Sequence, residues 1–229
     1  MKKVHAIAAA IAAAFVFACG AASAQEQTIF LGAVHVDVFA KMPNLSGPFL
    51  PAAAGAQLEI GSVSTLGFGY AYRFLPQWSV ELALGVPPTH KVYGAGALSV
   101  AGQVANVEEL PPEAFINYHW SFFGGRFNPL LGLGLNYTHF SPATSTAAGN
   151  AVSGGPTTIS LSDSFGLAWH TGFTLKLDSH WSLAATVGSA DVRSKLVNTT
   201  TLPNGVISAV STDITFRPLI YSVSTGYSF

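Results

Sequence analysis

Tyr221-Ser222-Val223-Ser224-Thr225-Gly226-Tyr227-Ser228-Phe229 alternates without a break. Tyr221, Val223, Thr225, Tyr227 and Phe229 fall on one face of an extended chain. Ser222, Ser224, Gly226 and Ser228 fall on the other. Side chains on a strand repeat every two residues, so one face is aromatic and apolar and the other small and polar. A strand with lipid on one side and a lumen on the other has this pattern. Ending on an aromatic residue is typical of the closing strand of a bacterial outer-membrane barrel, and such a strand is expected to address the barrel-assembly machinery.

The opposite end points to the same compartment. Lys2 and Lys3 precede an apolar run from Ala6 to Ala18, and Ala22-Ser23-Ala24 has the small-x-small form of a cleavage site. Residues 1–24 read as a cleaved signal peptide and residues 25–229 as the barrel. Val16-Phe17-Ala18-Cys19 loosely matches a lipidation site, with bulky Phe17 where a small residue belongs. Removing the leader removes Cys19, the one cysteine, and with it disulfides and thiolate metal sites. It leaves eight basic and eleven acidic residues, a formal charge of −3. This is no footprint for nucleic acid.

Charged residues make up 9% of the chain, against about 25% in a soluble domain. Yet no apolar stretch after the leader is long enough for a membrane helix. An apolar chain without membrane helices is either a deeply buried soluble fold or a barrel in lipid, and its alternation favours the barrel. Period-two segments are expected at residues 28–41, 58–74, 78–86, 113–120, 127–140, 159–177, 181–191 and from 216 onward. Their connections alternate short and long. Residues 75–77, 121–126 and 178–180 are tight, whereas 42–57, 87–110, 141–158 and 194–213 are long and rich in Gly, Ala, Pro, Ser and Thr. Short periplasmic turns and four longer extracellular loops on eight antiparallel strands follow. Phe74, Trp78, Tyr118, Trp120, Trp181, Tyr227 and Phe229 collect at the short-turn ends, where a girdle at the membrane boundary belongs.

Several segments resemble those of the outer membrane protein W (OmpW) family, whose relatives include importers of alkanes. They are Leu110-Pro-Pro-Glu-Ala-Phe-Ile-Asn-Tyr-His-Trp120, Phe127-Asn-Pro-Leu-Leu-Gly-Leu-Gly-Leu-Asn-Tyr-Thr-His-Phe140, Leu161-Ser-Asp-Ser-Phe-Gly-Leu-Ala-Trp-His-Thr-Gly172 and Pro88-Thr-His-Lys-Val92. With the closing strand, they cover most of the mature chain in order. The chain departs from the family's usual pattern where the final loop and residues 185–197 lack the acidic and aromatic residues often seen there. The resemblance implies an eight-stranded outer-membrane barrel with a narrow, largely hydrophobic passage for small hydrophobic molecules.

The polar faces of the segments give the expected lumen lining: His35, Asp37, Glu59, Arg73, Glu81, Asn117, His119, Asn136, His170 and Lys176. Inward glycines and alanines, Gly67, Gly132, Gly134 and Gly188 among them, leave room for a conduit or ease curvature. Glu59, Glu81 and Arg73 are expected to form an internal network closing the periplasmic end, because inward charges need partners. His35 and Asp37 share a face, but two ligands do not make a metal site. No cofactor is expected.

Pro87-Pro88 and Pro111-Pro112 lie near the outer rim of neighbouring strands. Proline cannot donate to a strand ladder, so these pairs suggest a lateral gap by which cargo reaches lipid. The rival function is a closed structural or adhesive barrel acting through its loops. An enzyme would need a nucleophile, a base and an orienting group together. His119 with Ser121, His180 with Ser182, and Asp163, Ser164 and His170 are spaced poorly for that.

Overall fold

Alternation of this kind has only one way to satisfy its backbone in lipid, which is closure into a ring. The computed structural model describes residues 26–38, 40–41, 43–47, 50 and 54–229. The leader of residues 1–24, its cleavage site and Cys19 lie outside them.

The strands are, in chain order, β1 (Glu26–Asp37), β2 (Ala40–Lys41), β3 (Ala56–Ile60), β4 (Val63–Leu75), β5 (Trp78–Gly85) and β6 (Thr89–Gly96). Then come β7 (Gln103–Leu110), β8 (Glu113–His119), β9 (Phe127–Phe140), β10 (Ala143–Ser145) and β11 (Thr157–Leu161). The last are β12 (Ser164–Lys176), β13 (Trp181–Ala190), β14 (Val192–Thr201), β15 (Ile207–Phe216) and β16 (Leu219–Ser228). One short helix, α1 (Ala147–Ser153), lies between β10 and β11, capped by Thr146 and stopped by Gly154 at φ 84°. No helix among the described residues is long and apolar enough to cross a membrane.

Eight strands form a closed antiparallel barrel. β1, β4, β5, β8, β9, β12, β13 and β16 pair in that order, and β16 returns to β1 from Thr28↔Ser228 to Asp37↔Leu219. Phe229 N donates to Gln27 O at the seam. The other strands stand above this ring and continue its wall. β3 pairs β6, β6 pairs β7, β7 pairs β10, and β10, β11, β14, β15 and β2 follow. The long connections beyond residue 86 are therefore mostly hairpins. Their Gly, Ser and Thr content hides an alternation of their own.

The two halves have opposite polarity. Below, Ile29, Leu31, Leu66, Phe68, Leu133, Leu135, Phe165, Leu167 and Val223 are exposed on the outside. Above, Val92, Val107, Ile159, Leu196, Ile214 and Phe216 are buried inside, while Glu59, Lys91, Glu108, Arg193, Lys195 and Asp213 are exposed. The lower half is built for lipid outside and the upper half for water outside.

At the lower end the aromatic residues touch edge to face, both across neighbouring strands and along one. Trp78 and Tyr118 lie 5.1 Å apart, Tyr118 and Trp120 5.0 Å, and Trp181 and Tyr227 5.1 Å. Edge-to-face contact suits the ring quadrupole, and the polar atoms reach water at the boundary.

The turn from β12 to β13 depends on one carboxylate. Asp178 Oδ1 accepts from the amides of His180 at 2.8 Å and Trp181 at 2.7 Å. The Trp181 amide, then that of His180, holds this carboxyl below its ordinary range. A depressed folded value means that the contribution is complete above the unfolded pKa of about 4. It is lost as the pH falls through the lower folded value. An NMR titration of the His180 and Trp181 amides is expected to show a midpoint below that of a free aspartate, and Asp178→Ala should abolish the transition. A midpoint at or above the ordinary value would contradict this account.

Candidate functional site

The inside of the barrel has an ion-paired base, a polar middle and an apolar top. At the base Glu26 binds two cations. Lys176 Nζ lies 2.7 Å from its Oε1 and Arg73 Nε 3.8 Å from its Oε2. Thr28 and Ser228 hydroxyls meet at 2.9 Å beside them. Of the expected network of Glu59, Glu81 and Arg73, Arg73 alone stands here, and its acid is Glu26; Glu81 is bound by Asn117 instead. Glu59 takes no part, because it is exposed on the outside of β3, where the polarity is reversed.

One storey up, His170 Nε2 lies 2.7 Å from Asn117 Oδ1, and Asn117 Nδ2 donates to Glu81 Oε2 at 2.7 Å. An amide oxygen only accepts, so His170 carries its proton on Nε2. The His170 ring stacks on Phe115, with centroids 4.0 Å apart and planes 8° from parallel. Ser79 Oγ and His119 Nε2 meet at 2.8 Å. Asn136 donates to Glu113 at 3.2 Å and accepts from Thr138 at 2.7 Å.

These side chains occupy the space that small inward residues leave. A Cβ on Gly132 would overlap Asn117 Oδ1 and His170 Nε2, and one on Gly134 would come within 2.6 Å of Phe115 Cδ1. A Cβ on Gly188 would come within 2.8 Å of His170 Cβ, and one on Gly226 within 2.8 Å of Phe30 Cε1. Here the glycines are sockets for larger neighbours.

Some open space remains in the lower barrel beside Phe30, Gly69, Thr174 and Ser224, and more lies higher. The outer cavity, about 1080 Å³ of free space with its mouth, is lined by Leu45, Leu50, Val104, Ile159 and Val210 among others. The middle cavity, about 730 Å³, is lined by Val36, Ile60, His90, Glu109, Val192, Ile214 and Phe216 among others. Leu58, Val92, Val107 and Leu196 line both and form the neck between them. A third cavity of about 800 Å³ adjoins the middle one at Val36, Pro111 and Ile220, and reaches Leu84, Val86 and Pro88 in the wall.

The wall is interrupted at that point. β4 and β5 pair up to Gly67↔Gly85, and Val86 N donates to Leu66 O. Pairing resumes where Gly61 N donates to Lys91 O. Residues 62–65 and 87–90 share no backbone hydrogen bond. On the other side β5 and β8 stop at Ala83↔Glu113, and pairing resumes where Glu109 N donates to Pro88 O. Pro87 thus stands between two unpaired stretches, with Pro111 and Pro112 across from it. Side chains bridge part of the breach, as Thr65 Oγ1 donates to Val86 O at 2.7 Å.

Of the residues expected in the lumen, Arg73, Glu81, Asn117, His119, Asn136, His170 and Lys176 face inward. His35 and Asp37 do not. Val34 and Val36 take the inner positions of β1, and His35 is exposed against Ser64 and Tyr221 on the outer face. Asp37 accepts from Ser62 there. The rule of polar inside fails at this height because the cavity itself is apolar. Glu26, His90 and Glu109 were not anticipated. Thr89–Tyr93 nonetheless alternates, with His90 and Val92 on one face.

The imagined catalytic sets do not assemble. His170 is engaged by Asn117, Ser164 Oγ accepts from Arg193 N, and Asp163 is held by Tyr137 and His139. His180 Nδ1 contacts Ser179. Among the described residues, no three His, Cys, Asp or Glu side chains converge to hold a metal.

Comparison with known proteins is consistent throughout. A family model described as OmpW matches residues 28–229. Outer membrane protein W of Vibrio cholerae is 31% identical over 175 residues, covering 76% of this chain and 77% of its own. The dibenzothiophene metabolism operon protein PahQ of Pseudomonas aeruginosa is 26% identical over 196 residues, covering 86% and 84%. The crystal structure of the outer membrane protein OprG from Pseudomonas aeruginosa superposes with a TM-score of 0.80 at 27% identity, covering 90% of this chain and 96% of that one.

Proposed function

Because this chain belongs to the OmpW family of outer-membrane barrels, we propose that it admits small hydrophobic molecules from outside and releases them sideways into the membrane. The observation that carries this reading is the apolar outer and middle cavities adjoining a third that reaches Pro88 in the wall, above an ion-paired base. An apolar solute gains free energy by leaving water for such a cavity. Below the breach it would meet Phe115, His170 and the Glu26 cluster. Unpaired backbone is tolerated at membrane depth where it lines a cavity, as it does here. The relative named for dibenzothiophene metabolism supports an apolar cargo.

A closed structural or adhesive barrel would have no use for an apolar passage opening beside a broken ladder. We assign the chain no catalytic step and no cofactor. Its outward face associates with outer-membrane lipid, and we take β16 with its terminal Phe229 as the address for barrel assembly.

The test is to pair the wall. Pro88→Val and Pro111→Val together restore two N–H donors at the breach. Uptake of a polycyclic aromatic hydrocarbon by cells carrying this variant is expected to fall several-fold, with normal assembly. Undiminished uptake in an assembled barrel would refute lateral release.

A further inference from the structure

The middle cavity is apolar except on one part of its wall. His90 on β6 is 4% exposed. Its Nδ1 lies 2.9 Å from the Gly61 carbonyl, across the unpaired stretch, and its Nε2 lies 3.3 Å from Glu109 Oε1 on β7. A carbonyl oxygen only accepts, so Nδ1 carries a proton. The contact with Glu109 holds one more, on either partner. In both states the imidazole is fully engaged, and in both Glu109 Oε2 remains an acceptor.

That oxygen has no hydrogen-bond partner among the described residues, and Glu109 lines the cavity. Asn136 and Thr138 also line it, but their hydrogen bonds run to Glu113 and to each other. The cavity therefore presents Glu109 Oε2, partly exposed and without a protein partner among the described residues, as an acceptor in mainly apolar surroundings. It stands at the edge of the breach, since Glu109 N donates to Pro88 O at 3.2 Å.

We infer that Glu109, oriented by His90, selects hydrophobic molecules that end in a single hydroxyl over the matching hydrocarbons. This rests on the reading that small hydrophobic molecules occupy the cavity. A hydroxyl brought into an apolar site without a partner loses its hydration for nothing, whereas Oε2 replaces it. A hydrocarbon instead buries Oε2 unpaired. The selected molecule sits with its hydroxyl at Glu109 and its tail among Val36, Val107 and Ile214.

The test compares 1-octanol with n-octane by methyl NMR of Val107 and Ile214 in the barrel reconstituted in lipid nanodiscs. The parent is expected to bind the alcohol about tenfold more tightly, equal to about 1.4 kcal/mol. Glu109→Met alone would uncover His90 Nε2 as a new acceptor, so the decisive variant is His90→Phe with Glu109→Met. It is expected to lose the preference by weakening the alcohol and tightening the alkane, which no longer buries an unpaired oxygen. Glu109→Gln donates to His90 Nε2 and keeps a free amide oxygen, so it should retain most of the preference. The parent and this conservative variant suffice if the double variant does not assemble.

Equal binding of both probes by the parent would overturn the inference while leaving hydrophobic passage intact. An equal loss of both in the double variant would mean that the pair is merely structural. If neither probe shifts the methyls of the parent, the reading of the cavity as a hydrophobic site fails as well.

Discussion

Val107→Trp is expected to cut uptake of a small hydrophobic substrate by about tenfold or more, a barrier rise of at least about 1.4 kcal/mol. Val107 is buried and stands in the neck with Leu58, Val92 and Leu196. An indole there projects into free space on both sides rather than into packed wall. Overpacking a full core costs about 1–3 kcal/mol, and the empty cavities should keep the penalty at the low end. Assembly is checked by the slower migration of heated against unheated barrel in detergent gels, and uptake by accumulation of a labelled hydrocarbon. Normal uptake in a folded Val107→Trp barrel would mean that cargo bypasses the neck.

Gly132→Val is expected to destabilise the barrel by about 4 kcal/mol. The new side chain takes the place of the contact between His170 Nε2 and Asn117 Oδ1. Displacing it breaks the run from His170 through Asn117 to Glu81. Overpacking contributes about 1–3 kcal/mol, and each buried polar group left without a partner about 1–3 kcal/mol more. Gly61→Ala is the milder comparison, because its Cβ would meet Lys91 O at 3.3 Å, a tight contact rather than an overlap. Urea unfolding in lipid vesicles should separate the two clearly. A Gly132→Val barrel as stable as the parent would mean that the polar run adds nothing to stability.

The lower barrel was legible in the sequence because lipid imposes a strict rule. Every outward position must be apolar, so the period of two survives from Leu66 to Tyr72 and from Leu131 to Tyr137. Inward positions then follow by parity, and Glu81, Asn117 and His170 were found in this way. The upper half obeys the same period with the faces exchanged. Reading polar as inward there misplaces His35, Asp37 and Glu59. Nothing in a single strand reports which side water is on; that depends on the height of the residue, and height is set by closure of the whole ring.

The cavity was hidden for a related reason. Its walls lie in stretches such as Thr89–Gly96 and Val192–Thr201, whose outward faces carry Lys, Arg, Ser and Thr. Such composition resembles loop sequence. Only the pairing of β6 with β7 and of β14 with β15 turns their Val, Ile and Leu into a lining. Glu26 adjoins the stretch expected to be a leader, which masks its role, although Lys176 and Arg73 pair with it.

The exchange of faces between the two halves also has a topological meaning. In an ordinary barrel, inside and outside are separate surfaces, and nothing apolar on one connects with the other. On the proposed route, the oily surface of the upper half's inner wall would meet that of the lower half's outer wall beside Pro87, joining the two apolar surfaces. A molecule sliding along them would pass from the mouth of the barrel to the acyl chains without leaving an apolar surface, much as a drop follows a continuous gutter from roof to ground.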